Sequence, residues 1–173
     1  KTQNFTVTGT FSDASTQSMT SSASSTSGST SVATVVTVGA LKGRATGVNT
    51  GSTTITATYD GVSASATLTV TAAVLVSISV SPSVPASMSS GNTRQFTATG
   101  TYSDASTQSI TSSASWSSSN TAAGTIGNTA GTKGLFTAIA GGSTSITATL
   151  DGVSRSVSQT VTVEFGGGGG SSD

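Results

Sequence analysis

Neither cysteine nor histidine occurs among these 173 residues. Without thiols no disulfide or thiolate chemistry is open to the chain, and without imidazole the Ser-His-Asp, Cys-His and His-metal arrangements are excluded. Charge is scarce as well: 7% of residues are charged, with six Lys and Arg balancing six Asp and Glu. No cluster of cations is available for a phosphate backbone, so nucleic acid is not an expected partner. The longest apolar stretch, around Ala72 to Val80, is interrupted by Ser77 and Ser79. It falls far short of the roughly 20 residues that a spanning helix needs, so membrane insertion is not expected. With no leader in view, the chain reads as a soluble, mature or excised piece.

What is abundant is Ser and Thr, about two-fifths of the residues, and repetition. Phe5 to Val70 can be laid over Phe96 to Val161 at a constant offset of 91, with more than half the positions identical. TGTFSDASTQSMTSSAS stands against TGTYSDASTQSITSSAS, and ITATYDGVS against ITATLDGVS, both without a gap. A repeat of that length is a whole domain, since solenoid units run roughly 20 to 50 residues. The second copy is preceded by AVLVSISVSPSVPASMSSG, whereas the first begins at Lys1 almost directly on its Phe5 segment. The expected organisation is a domain lacking its first strand at 1–72, a complete domain at 73–165, and a Gly-rich tail at 166–173.

The apolar residues alternate with period two, the mark of a strand with one buried face. Phe5, Val7 and Phe11 do so, as do Phe96, Ala98 and Tyr102, and then Ile55, Ala57 and Tyr59. Asp60-Gly61 and Asp151-Gly152 each sit between two such runs and predict type I′ hairpins, which require positive φ at both central residues. Val62, Ala64, Ala66, Leu68 and Val70 share one face, and Val74, Val76, Ile78 and Val80 share another until Pro82 and Pro85 end the pairing. No segment shows a 3.6-residue period. The fold class that follows is all-β: two tandem β-sandwich domains, arranged end to end by a junction free of Gly and Pro.

LVSISVSP, then QFTATGTYSDASTQSITSSASWSSSN, then GLFTAIAGGSTSITATLDGVS, in that order, resembles the bacterial immunoglobulin-like domain, group 2, found in intimin- and invasin-type adhesins and some phage structural proteins. The resemblance implies that both sandwiches are immunoglobulin-like, two tandem immunoglobulin-like β-sandwich domains in all, with a core aromatic at Trp116, where the first copy has Ser25. Burying a Trp removes 150 to 250 Å² from water, so its loss at about 25 cal/mol per Å² makes the first domain the weaker. Arg155 and Gln159 occupy the parity of Ala64 and Leu68, which a core does not accept without partners. The leading expectation is a bulge that restores register, the alternative a face open to solvent or a neighbour.

No residue is expected to be catalytic or to hold a cofactor or metal. Lys42 and Lys133 precede a Gly between strands and read as solvated turn residues rather than bases for a serine. Asp13 and Asp104 are one carboxylate per loop, poor calcium ligands, and better read as turn residues bonding their own backbone, as are Asp60 and Asp151. Asn4-Phe5-Thr6 matches a glycosylation sequon but lies within a strand. A Lys-Asn isopeptide would need a buried acid, and no strand interior offers one. Most Ser and Thr belong to the solvent face of strands, with O-glycosylation the lesser alternative. The function that follows is a non-catalytic structural or adhesive module of a bacterial surface protein or phage particle, a rod-like spacer or interaction domain located outside the cell. Its partners would be other protein subunits or host surface molecules. The alternative is a homo-polymer, a filament or lattice subunit whose first domain takes a strand from a neighbouring chain.

Overall fold

The structure is a computed structural model that describes residues 1–163, so the Gly-rich tail lies outside the described residues. The chain divides into two compact units, Lys1–Ala72 and a second beginning at Ala73. The first holds β1 (Thr2–Asn4), β2 (Thr8–Thr10), β3 (Thr16–Ser18), β4 (Ser24–Ser27), β5 (Ala33–Val35), β6 (Arg44–Gly47), β7 (Gly51–Tyr59) and β8 (Val62–Val70). The second holds β9 (Leu75–Ser81), β10 (Met88–Ser89), β11 (Thr93–Gln95), β12 (Thr97–Tyr102), β13 (Thr107–Ser109), β14 (Ser115–Ser118), β15 (Gly124–Ile126), β16 (Leu135–Ala138), β17 (Gly142–Leu150) and β18 (Val153–Thr162). Elements β1 to β8 correspond one to one with β11 to β18.

In the second unit one layer has the order β10-β18-β17-β14, and the other is made of β13-β12-β9 and β11-β16-β15. Between them lies a core that includes Ile78, Val80, Phe96, Trp116, Phe136 and Val157. The Phe96 and Phe136 rings meet edge to face, with centroids 6.3 Å apart and planes at 85°. Such a pair adds about 0.5 to 1.5 kcal/mol beyond its area. Both Asp-Gly hairpins form as expected, with φ of 46° and 79° at Asp60-Gly61 and 49° and 80° at Asp151-Gly152.

The run through Phe5 and Phe96 is not one strand. At Phe5 the chain leaves β6 for β3, and the amides of Phe5 and Met19 bond the carbonyls of Gly43 and Val7 across the step. The crossing needs a glycine opposite it. Gly43 has φ +82°, and a Cβ there would lie 2.6 Å from the Phe5 carbonyl oxygen. Gly134 stands in the same relation to Phe96.

Two expectations about register are corrected. The β17–β18 ladder runs from Gly142↔Val161 to Leu150↔Val153 without a shift, so no bulge displaces Gln159. Gln159 stays at core parity, fully buried. It is tolerated because its Oε1 accepts from Arg94 Nη1 at 2.6 Å while its Nε2 donates to the carbonyls of Ala86 and Thr160. A bulge does occur in the β9–β12 ladder, where the register shifts between Thr101 and Tyr102. Leu75 therefore faces the core, while Val74 and Val76 point outward.

The first unit is built on the same frame with far less inside. Five of its apolar residues are buried, Met19, Ala23, Ala33, Ala45 and Ile55, against fifteen in the second unit. Ser25 replaces Trp116 and Ala45 replaces Phe136. The segment ahead of β11, which has no counterpart among residues 1–72, holds two strands, β9 and β10. In the second unit β9 pairs with β12, and β10 runs parallel to β18, so one segment serves both layers. Without them, β2 pairs with β3 alone and β8 with β7 alone.

Candidate functional site

Several polar residues that recur at the 91-residue offset are engaged in the fold in both copies. Asp13 Oδ1 accepts the Ser15 amide at 2.9 Å, and Asp104 Oδ1 accepts the Ser106 amide at 3.0 Å and its hydroxyl at 2.6 Å. The seryl hydroxyl first, and then the backbone amide, holds each carboxyl below its usual range. The intervening Ala14 and Ala105 sit at φ of 64° and 67°, which completes an Asx-type turn. Thr20 Oγ1 accepts the Val7 amide and Thr111 Oγ1 the Ala98 amide, at 2.8 and 2.9 Å. Thr53 and Thr144, both buried, accept the amides of Ser29 and Asn120.

Lys42 and Lys133 are not merely solvated. The amides of Ser22 and Ala23 both bond the Met19 carbonyl in a turn, and Lys42 Nζ donates to Ser21 O within it at 2.8 Å. Lys133 Nζ donates to Ala114 O at 2.7 Å, two residues further along the corresponding turn. A cation at the last carbonyls of a turn is held by their partial negative charge.

Trp116 takes the expected core position, 4% exposed, with its Nε1 donating to Thr111 O at 3.0 Å. Asn4, exposed at the end of β1, faces Arg44 across the ladder. A shallow depression of about 560 Å³ is lined by Ser109, Thr111, Ser112, Ala130, Gly131 and Lys133. Among the described residues no three of His, Cys, Asp and Glu come together as metal ligands, and no helix is long and apolar enough to cross a membrane. The node of Arg94, Gln159 and the Ala86 carbonyl escaped sequence reasoning. A Gln at the position of Leu68 was its only signal.

The most distinctive surface is apolar and belongs to the first unit. Val62, 76% exposed, and Ala64 and Ala66 lie open on β8, and Leu68 and Val70 are only partly covered. Phe11, 46% exposed, ends the β2 segment. In the second unit the counterparts Val157, Gln159 and Val161 are buried, since β9 packs across β18 and β17. The two copies thus show one face covered and the same face bare.

Residues 75–161 match the family described as bacterial Ig-like domain (group 2). No curated protein matches the chain by sequence. Among solved structures, domains 1–6 of the surface layer protein SbsC align with a TM-score of 0.50 at 21% identity, covering 82% of this chain and 20% of that one. Domains 4 and 5 of the same S-layer protein give 0.49 at 19%, covering 89% and 78%. The insect immune protein hemolin gives 0.41 at 13%, over 72% and 33%. The chain spans about a fifth of the length of the first of these. At such identities the likeness is one of fold.

Proposed function

The chain belongs to the bacterial immunoglobulin-like domain family, group 2, and on that premise we propose a non-catalytic structural and adhesive module of a bacterial surface protein or virion. Its tandem sandwiches act outside the cell as a spacer or interaction domain. One observation carries the reading. The polar groups retained in both copies, from Asp13 and Asp104 to Lys42 and Lys133, are taken up by turns and carbonyls of the fold, so what the repeat preserves is a frame. A frame that carries load extends in discrete, reversible steps. Single-molecule pulling of the 173-residue chain should give two separate unfolding events that recover on relaxation. A featureless extension, or loss of both events after the first pull, would overturn the load-bearing reading.

The bare face of β8 favours a second reading beside it. Among the described residues β8 pairs with β7 alone, and an edge of that kind is one that a strand of a neighbouring chain can join, as in a filament or lattice.

A further inference from the structure

We propose that the outer faces of the sheets β4–β7–β8 and β14–β17–β18 bind ice, the partner being an ordered surface of water. The inference goes beyond the load-bearing reading and does not depend on it.

Each face is a grid of hydroxyls. Every outward position of β4, β7 and β8 is Ser or Thr, and so is every outward position of β14, β17 and β18. None of these residues is buried. In the first unit Thr54, Thr56 and Thr58 alternate along β7, with Ser65, Thr67 and Thr69 beside them on β8. The β7–β8 and β17–β18 ladders both run without a register shift. Hydroxyls therefore recur about 4.8 Å apart across the strands and about 6.8 Å apart along them. Cross-strand bonds hold them in place, Thr56 to Ser65 at 2.9 Å, Thr58 to Ser63 at 2.8 Å and Thr147 to Ser156 at 2.8 Å. The grid is set before a ligand arrives.

The two copies keep this face more strictly than the interior beneath it. Inward, Ser25 gives way to Trp116, Ala64 to Arg155 and Leu68 to Gln159. Outward, the only exchanges are Ser for Thr, at the counterparts of Thr26, Thr54 and Thr67, and the hydroxyl is never lost. Exposed positions that change less than a core mark a surface with a task. In the second unit β10 joins the sheet at its edge beside β18, and the buried Ile78 and Val80 of β9 lie on the inner side. A segment ahead of the first unit that took the same course would leave the outer face clear.

The occupant follows from what the face lacks. No charged or aromatic side chain holds an outward position on these strands. An ionic partner finds nothing to pair with, and a sugar ring finds no platform to stack on. Toward a dissolved partner, hydroxyls exchange one hydrogen bond for another, and each nets only about 0.5 to 1.5 kcal/mol. A water lattice is the exception, because the waters that bridge the grid need not be displaced and become its first layer.

The test measures ice recrystallisation and thermal hysteresis with the 173-residue chain. The chain should slow recrystallisation and facet single crystals at micromolar concentration. Thr56→Lys with Thr147→Lys, which plants a charge within each grid, should need at least tenfold more protein for the same slowing. Thr8→Lys with Thr97→Lys, exposed on the other layer, should match the parent. Unchanged far-ultraviolet circular dichroism shows that each variant folds. No effect of the parent chain on ice at millimolar concentration, or equal behaviour of the two variant pairs, would overturn the proposal. So would retention on insoluble cellulose or chitin without any effect on ice, which would make a neutral polysaccharide the occupant. Failure here leaves the load-bearing reading intact, because that stands or falls on the pulling experiment.

Discussion

Single residues show how one frame holds two different interiors. Gly124 has no room for a side chain, because a Cβ there would overlap the Phe136 ring. Its counterpart is Ala33, and the counterpart of Phe136 is Ala45. In each unit the two positions are diagonal neighbours on the same ladder, for Gly124 stands opposite Ala138 and Phe136 opposite Ile126, as Ala33 stands opposite Gly47 and Ala45 opposite Val35. The two positions have therefore exchanged volume, small with large or small with small. Gly124→Ala alone should destabilise the second unit by about 1 to 3 kcal/mol through overpacking. Phe136→Ala alone should cost about 3 to 5 kcal/mol through the cavity it leaves. The double variant reproduces the pair found in the first unit, so its cost should fall below the sum, as chemical denaturation of all three variants would read. Strict additivity would mean that the two sites do not share a space.

At the scale of the element, the strand that departs most between copies is β18. Its partner β8 is bare and reads Val, Ala, Ala, Leu, Val on the inward parity, whereas β18 reads Val, Arg, Val, Gln, Val. Gln159 is affordable only because Arg94 and the Ala86 carbonyl meet it, and Ala86 lies on the connection from β9 to β10. The node ties that connection to the sheet it crosses. Gln159→Leu copies Leu68 and looks harmless in sequence. It should nevertheless lower the stability of the second unit by about 1 to 3 kcal/mol, since the buried polar atoms around it lose partners. Adding Arg94→Ala should return part of the loss. Denaturant midpoints that do not move with Gln159→Leu would show the node to be idle.

For the whole molecule, the consequence is unequal stability within one chain. Fifteen buried apolar residues against five, with Trp116 opposed to Ser25, place the second unit well above the first. Trp116 is the only Trp in the chain. Thermal unfolding should therefore occur in two steps, the lower seen by far-ultraviolet circular dichroism but silent in Trp fluorescence, the upper seen by both. Coincident transitions by the two probes would mean that the units unfold as one.

The sequence by itself determined the elements and their kind. Period-two patterning marked the strands, and Asp-Gly marked both hairpins, because these signals act between residues close along the chain. It also placed Trp116 inside and the Asp13 and Asp104 turns at the surface. What only the tertiary structure decided was which faces are covered. Phe11 and the face of β8 carry the pattern of buried residues and stand open among the described residues, whereas in the second unit β9 and β10 pair with the corresponding strands. Gln159 and Leu75 are the converse, residues whose inward placement depends on a partner 65 residues off and on a bulge opposite Tyr102. Alternation along a strand records which side a residue is on. Whether that side meets protein or water depends on contacts that the local sequence does not contain.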